Sequence, residues 1–147
     1  MQDFPHHYSV AATASADGDV LLESERLPPL QSASPAEFGG PGDRWSPETL
    51  LAAAVADCFV LTFRAIAAIA RLPWISLRCE VVGTLDRIEK VTQFTSFTVR
   101  ARLQVAEDGR EDQAQRLLEK AERGCLITNS LKAATHLEAQ IDVATPQ

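Results

Sequence analysis

The chain has 147 residues, 46% hydrophobic and 23% charged, the balance of one soluble domain whose core closes without disulfide staples. Its 14 basic and 20 acidic residues leave a net charge of −6, which argues against a nucleic-acid binder, since phosphates require a basic face. Three cysteines are too few for a disulfide scaffold, and their odd number suits a reducing compartment. No basic start followed by an apolar stretch opens the chain, so a cytoplasmic protein is expected.

In chain order, the β-leaning run from Tyr8 to Ala14, the turn Asp17-Gly18-Asp19 and the run Val20–Glu23 predict a hairpin over residues 8–23. From Leu27 to Ser46 the segment is punctuated by Pro28, Pro29, Pro35, Gly39, Gly40, Pro41 and Gly42 and reads as an irregular loop. Long loops of this kind are often functional, so it is expected to lie over a site. Ser46-Pro47-Glu48 is a strong helix start, with a capping hydroxyl, a proline at the first helical position and a carboxylate in the first turn. The helix then runs from Thr49 to Arg71 and stops at Leu72-Pro73. It is apolar nearly all round, which means either a central helix or a membrane span. Asp57 and Arg64 near its middle favour the central helix, packed against a partner subunit, and no membrane association is expected.

Beyond Pro73 the period becomes two. Ile75, Leu77, Cys79 and Val81 alternate with Ser76, Arg78 and Glu80, and Phe97 to Val105 alternates in the same way. These are two half-buried strands, expected to be antiparallel neighbours. Glu111–Glu122 reads as a second helix ended by Gly124, Thr128–Ala134 as a further short helix, and Leu137 to Val143 as a last strand. The order predicts an α+β fold in a single domain over residues 1–147.

The cysteines differ in context. Cys79, on the apolar face of a strand, reads as a buried inert thiol. Cys58 lies mid-helix between Asp57 and Phe59, where a core position is the plain reading. Cys125 follows Gly124 directly and is either a small residue at a tight turn or a thiol at a helix start, where unpaired N–H groups stabilise a thiolate. His6, His7 and His136 stand at no metal-ligand spacing to these thiols, and Gly39-Gly40-Pro41-Gly42 lacks the lysine and hydroxyl of a phosphate loop. Neither a metal nor a cofactor is expected.

Glu37-Phe38-Gly39-Gly40, then Ser46-Pro47-Glu48-Thr49-Leu50-Leu51 with its alanines, Cys58-Phe59, and finally Cys125 with Leu126-Ile127-Thr128-Asn129-Ser130-Leu131 together resemble the OsmC/Ohr family. These are osmotically inducible and organic hydroperoxide resistance proteins, and the likeness covers roughly residues 6–143. It implies an OsmC-like fold, an antiparallel sheet with a long central helix, assembled as an intertwined homodimer. It further implies a stress-response thiol peroxidase that reduces alkyl or fatty-acyl hydroperoxides to alcohols. Cys58 falls at the peroxidatic position and Cys125 at the resolving one. A Cys58 sulfenic acid would condense with Cys125, and a dithiol, such as a lipoylated protein, would reduce the disulfide.

The family also supplies an arginine held by a glutamate, and Glu48 matches that glutamate. Ten residues of helix span about 15 Å, so Glu48 acts through a long arginine or at the partner subunit's site. Where the family has a Gly-Gly-Arg turn, this chain has Ser15-Ala16-Asp17-Gly18. Arg44 is the best substitute, ahead of Arg26 and Arg64, although a solvated loop residue is an equal reading of it. The alternative function is a non-catalytic relative that binds a small apolar ligand or senses oxidants.

Overall fold

The structure, a computed structural model, describes residues 1–144 and falls into two compact units, Met1–Leu50 and the chain from Leu51 on. In the first unit β1 (Ala11–Thr13), β2 (Val20–Glu23) and β3 (Leu30–Ser32) form a three-stranded antiparallel sheet. The expected hairpin is present, turning at Gly18, whose φ of +91° a residue with a Cβ rarely adopts.

The segment Leu27–Ser46 is not wholly irregular. Leu30 pairs with Leu22 and Ser32 with Val20, which makes β3 a strand through its partner rather than through its own three-residue pattern. A 3₁₀ turn at Ala36–Phe38 follows and closes at Gly39, φ +83°. Gly40 then passes so close to the chain that a Cβ would stand 1.7 Å from the Ser34 carbonyl oxygen.

At the end of this unit begins α1 (Pro47–Ala70), capped as expected. The Thr49 N–H donates to Ser46 Oγ at 3.1 Å, while the Ser46 N–H donates to Thr49 Oγ1 at 2.8 Å. This is a reciprocal capping box with threonine in the return position.

In the second unit, Val55, Phe59, Phe63 and Ala67 of α1 are fully buried. Their spacing of four puts them in one stripe, and this stripe belongs to the core cluster shared with the sheet. By length and composition α1 could cross a membrane, but this stripe is seated in protein. About two turns before its end, Phe63 packs edge-on to Trp74, with ring centroids 5.4 Å apart.

The sheet runs β4 (Trp74–Ile88), β5 (Val91–Val105), β6 (Ala134–Val143), with β5 central. β4 and β5 are antiparallel neighbours, as their alternation predicts, but each is 15 residues long. Their distal halves break alternation around a bulge at Thr84/Leu85 and turn at Glu89-Lys90, both with positive φ. Such a two-residue turn ordinarily takes Asn-Gly, so nothing in Glu-Lys signalled it. Gly83 leaves room for the stacked Phe94 and Phe97 rings; a Cβ there would stand 2.8 Å from the Phe97 ring.

β6 lies parallel to β5, joined by a crossover through α2 (Glu111–Gly124) and α3 (Leu126–Asn129). Three of the expected boundaries shift. Gly124 is the last helical residue of α2, and Cys125, in an extended conformation, caps both α2 and α3. The short helix spans Leu126–Asn129 rather than Thr128–Ala134, because the Ser130 and Leu131 N–H groups close back on Ile127 and Thr128. Ala134 instead pairs with Ser96 and begins the last strand.

Candidate functional site

Cys58 sits on the flank of α1 beside the buried stripe and is half-buried. Its sulfur opens into a groove of about 540 Å³ lined by Ala54, Leu61, Ala65, Ile66, Leu126 and Ile127, with Asp57 and Thr62 the other polar members. The wall is thus built from one face of α1 and the first turn of α3. Two further hollows lie on the solvated face of the sheet among charged side chains such as Arg78, Glu80 and Arg102, and neither is lined by a thiol.

Two opposed influences act on Cys58. Burial pushes the thiol up, and four groups push it down: the backbone of Ile127, the thiol of Cys125, the hydroxyl of Thr62 and the backbone of Leu126. The four prevail, so Cys58 titrates below an ordinary cysteine. Thr62 Oγ1 stands 3.8 Å from Cys58 Sγ, one helical turn on. The Leu126 and Ile127 amides belong to the first turn of α3, where N–H groups have no partner within the helix. The donors that the sequence aims at Cys125 therefore act on Cys58, since Leu126 and Ile127 line the groove with it.

Cys125 itself is fully buried. It brings a second thiol next to Cys58 across 67 residues of sequence, the pairing that the resemblance implies. A thiolate in an apolar groove with a second thiol beside it can attack an electrophile that carries an apolar substituent and then be resolved as a disulfide. Thr62 and the two amides were not singled out from sequence. Thr62 could have been, since positions i and i+4 share a helix face; the amides could not, since they depend on how α3 folds back.

The other two site residues lie in the first unit. Arg44 is tied down locally, its Nε 2.9 Å from Asp19 Oδ2 and its Nη1 3.4 Å from Asp43 Oδ2. Asp19 is the carboxylate that raises its basicity most. No ion pair joins Arg44 to Glu48 among the described residues. Glu48, in the first turn of α1, has its Oε2 buried without a hydrogen-bond partner. Arg26 is exposed in a left-handed conformation, and Arg64 is exposed on α1. None of the groups that shift Cys58 is an arginine.

Cys79 is half-buried on the inner face of β4 and is pushed up to about 11, first by burial and then by the charge of Cys125. As a nucleophile at neutral pH it is nearly silent, as its strand position suggests.

The model of the OsmC-like protein family matches residues 40–140. The Bacillus subtilis (strain 168) protein YmaD, described as uncharacterised, is 27% identical over 144 residues, 94% of this chain and 95% of that protein. Among solved structures, an OsmC-like protein of unknown function from Vibrio cholerae superposes with a TM-score of 0.85 at 19% identity, over 92% of this chain and all of that one. An organic hydroperoxide resistance protein from Elizabethkingia anophelis does so with a TM-score of 0.74, also at 19% identity, over 96% of this chain and all of that one. The family match takes in Gly40, the start of α1, Cys58, Cys125 and the β4–β6 sheet as far as Gln140, and the fold follows these solved structures: the chain belongs to the OsmC-like protein family.

Proposed function

We propose that the protein is a dithiol-dependent peroxidase that reduces organic hydroperoxides, working as a cytoplasmic homodimer. The observation that carries this reading is the Cys58 thiol, lowered below its ordinary range at the mouth of an apolar groove with Cys125 beside it. The Cys58 thiolate attacks the terminal peroxide oxygen, the O–O bond breaks, and the alkoxide takes a proton and leaves as the alcohol. Cys58 is then a sulfenic acid. The Cys125 thiol attacks that sulfur, water leaves, and a disulfide forms, which an external dithiol reduces. The apolar wall accommodates an alkyl or fatty-acyl substituent and offers hydrogen peroxide little.

Glu48 fits a positioning role, since its buried Oε2 has no partner and would hold a guanidinium. Arg44 is the guanidinium this chain offers nearest in sequence, and it would have to leave Asp19 to serve. The homodimer is supported by the uncovered apolar face of α1, where Leu61 is 50% and Ile69 85% exposed.

Hydroperoxide consumption by purified protein with excess dithiol tests the reading, with cumene hydroperoxide, a fatty-acid hydroperoxide and hydrogen peroxide compared. Many turnovers with the organic peroxides, absent in Cys58→Ser, are expected. A second reading is favoured by Arg44 being held by Asp19 and Asp43: an apolar-ligand binder or oxidant sensor without turnover. One oxidation per chain followed by arrest, or no oxidation at all, would establish that reading instead.

A further inference from the structure

The residues that α1 gives to the groove around Cys58 fall into two rows. Ala54, Cys58, Thr62 and Ile66, spaced by four, are half-buried, whereas Asp57, Leu61 and Ala65, also spaced by four, are exposed. The inner row faces the corner between α2 and α3. A Cβ on Gly124 would stand 3.6 Å from Thr62 Cγ2, and Leu126 and Ile127 complete that wall. The outer row is the lip of the groove, and it begins with a carboxylate. Asp57 is the one charged residue among those that line the groove.

An aspartate in mid-helix is a poor helix former, and no local partner offsets this one. Among the described residues Asp57 takes part in no ion pair. The other charged side chains of α1 are Glu48 and Arg64, roughly 14 and 11 Å away along the helix axis. Neither lines the groove. Adjacency to Cys58 bounds the distance that matters. Neighbouring Cα atoms are about 3.8 Å apart, so with both side chains at full reach the carboxylate lies within about 10 Å of the sulfur. That is about one Debye length in 0.1 M salt, close enough for its charge to act on a reactant at Cys58.

We propose that Asp57 sets the charge selectivity of this site: reactants that are neutral or positive near the reacting atom reach the Cys58 sulfur, and those with a negative charge there are repelled. For its substrate class this rests on the peroxidase reading. The substrates are then hydroperoxides with no anionic group near the O–O bond, such as neutral alkyl and aryl hydroperoxides and peroxidised esters. A fatty-acid hydroperoxide whose carboxylate lies many carbons from the O–O bond carries its charge out of range and is affected little. Two like charges about 8 Å apart, at an effective dielectric constant between about 40 and 80, slow an encounter by about two- to sixfold, and salt screens the effect. Dimerisation over Leu61 would enclose the groove and sharpen the repulsion, since less water then lies between the charges.

Two readouts at pH 7 test this on the full chain. In the first, Cys58 is alkylated with iodoacetate, iodoacetamide and bromoethylamine, which are anionic, neutral and cationic. Each rate is read at the Cys58 peptide by mass spectrometry and divided by the rate with 2-mercaptoethanol. Ratios between reagents cancel any change in the acidity of the thiol itself. Asp57→Asn should raise the iodoacetate rate relative to iodoacetamide by about two- to sixfold and lower that of bromoethylamine by a similar factor. Asp57→Glu should keep the order of the parent, Asp57→Lys should reverse it, and 0.5 M salt should erase most of the difference. In the second, with excess dithiol, kcat/KM is compared for cumene hydroperoxide bearing a para carboxylate and for the methyl ester of that compound. The ratio of ester to acid should fall about two- to sixfold in Asp57→Asn. Alkylation ratios that are the same in the parent, Asp57→Asn and Asp57→Lys overturn the proposal. Alkylation ordered by charge beside no turnover of any peroxide counts against the peroxidase reading alone, and the charge selectivity of Cys58 stands.

Discussion

At Cys58 a burial penalty and four weak donors compete, and the donors win, which makes the thiol's reactivity a testable balance. Because the folded value is lowered, the thiolate's contribution to stability is present above the ordinary cysteine range and is lost as pH falls through the folded value. Iodoacetamide labelling against pH should show Cys58 reacting with a midpoint below the ordinary range. Cys79, by contrast, should stay unlabelled until pH approaches about 11. Thr62→Val removes the hydroxyl 3.8 Å from the sulfur and should slow labelling of Cys58 at pH 7 by about two- to tenfold, the scale of one hydrogen bond. Glu122 is an opposite case, a carboxyl raised chiefly by burial, with its Oε2 unpartnered. A raised acid contributes stability below its unfolded value and loses it as pH rises through the folded one. Glu122→Gln should accordingly melt about 1–3 °C above the parent at pH 8 and show no gain at pH 4, read by thermal scans. Of the residue-level picture, the separate contexts of the three cysteines were legible along the chain. The meeting of Cys58 with Cys125 was legible only through the family resemblance, since nothing local links positions 67 residues apart.

At the scale of elements, α1 was the most legible, because its start and stop are local chemistry: the Ser46–Thr49 box at one end and Leu72-Pro73 at the other. Its anchoring is tertiary. Phe63, fully buried and edge-on to Trp74, should cost about 3–5 kcal/mol as Phe63→Ala in denaturant unfolding. β3 and the distal halves of β4 and β5 were not legible. Three residues between prolines show no period, and a bulge at Thr84/Leu85 shifts the alternation by one. Close approach of the backbone is just as hidden in a glycine-rich string. Gly40→Ala would push a Cβ into the Ser34 carbonyl and should destabilise the first unit by about 1–3 kcal/mol, whereas Gly18→Ala meets open space and strains only its turn.

For the whole molecule, the long apolar helix poses the main physical question. One stripe of α1 is seated on the sheet, while Leu61 and Ile69 on its other flank are exposed. A homodimer would cover that flank and close the groove around Cys58, which would also exclude water from the thiolate. Ile69→Lys, far from the buried stripe, should leave the far-ultraviolet circular dichroism unchanged and shift sedimentation from twice the chain mass to the chain mass. A variant that still sediments as a dimer would remove α1 from the interface. What the sequence determined by itself was whatever depends on neighbours in the chain: the capped helix, the alternating strands, the first hairpin turn and the motifs that mark an OsmC-like protein. Only the tertiary structure decided that β6 runs parallel to β5, that the amides of α3 face Cys58, and that Arg44 pairs with Asp19. Those outcomes depend on which long-range surfaces pack together, and side-chain periodicity records that a face is buried without recording against what.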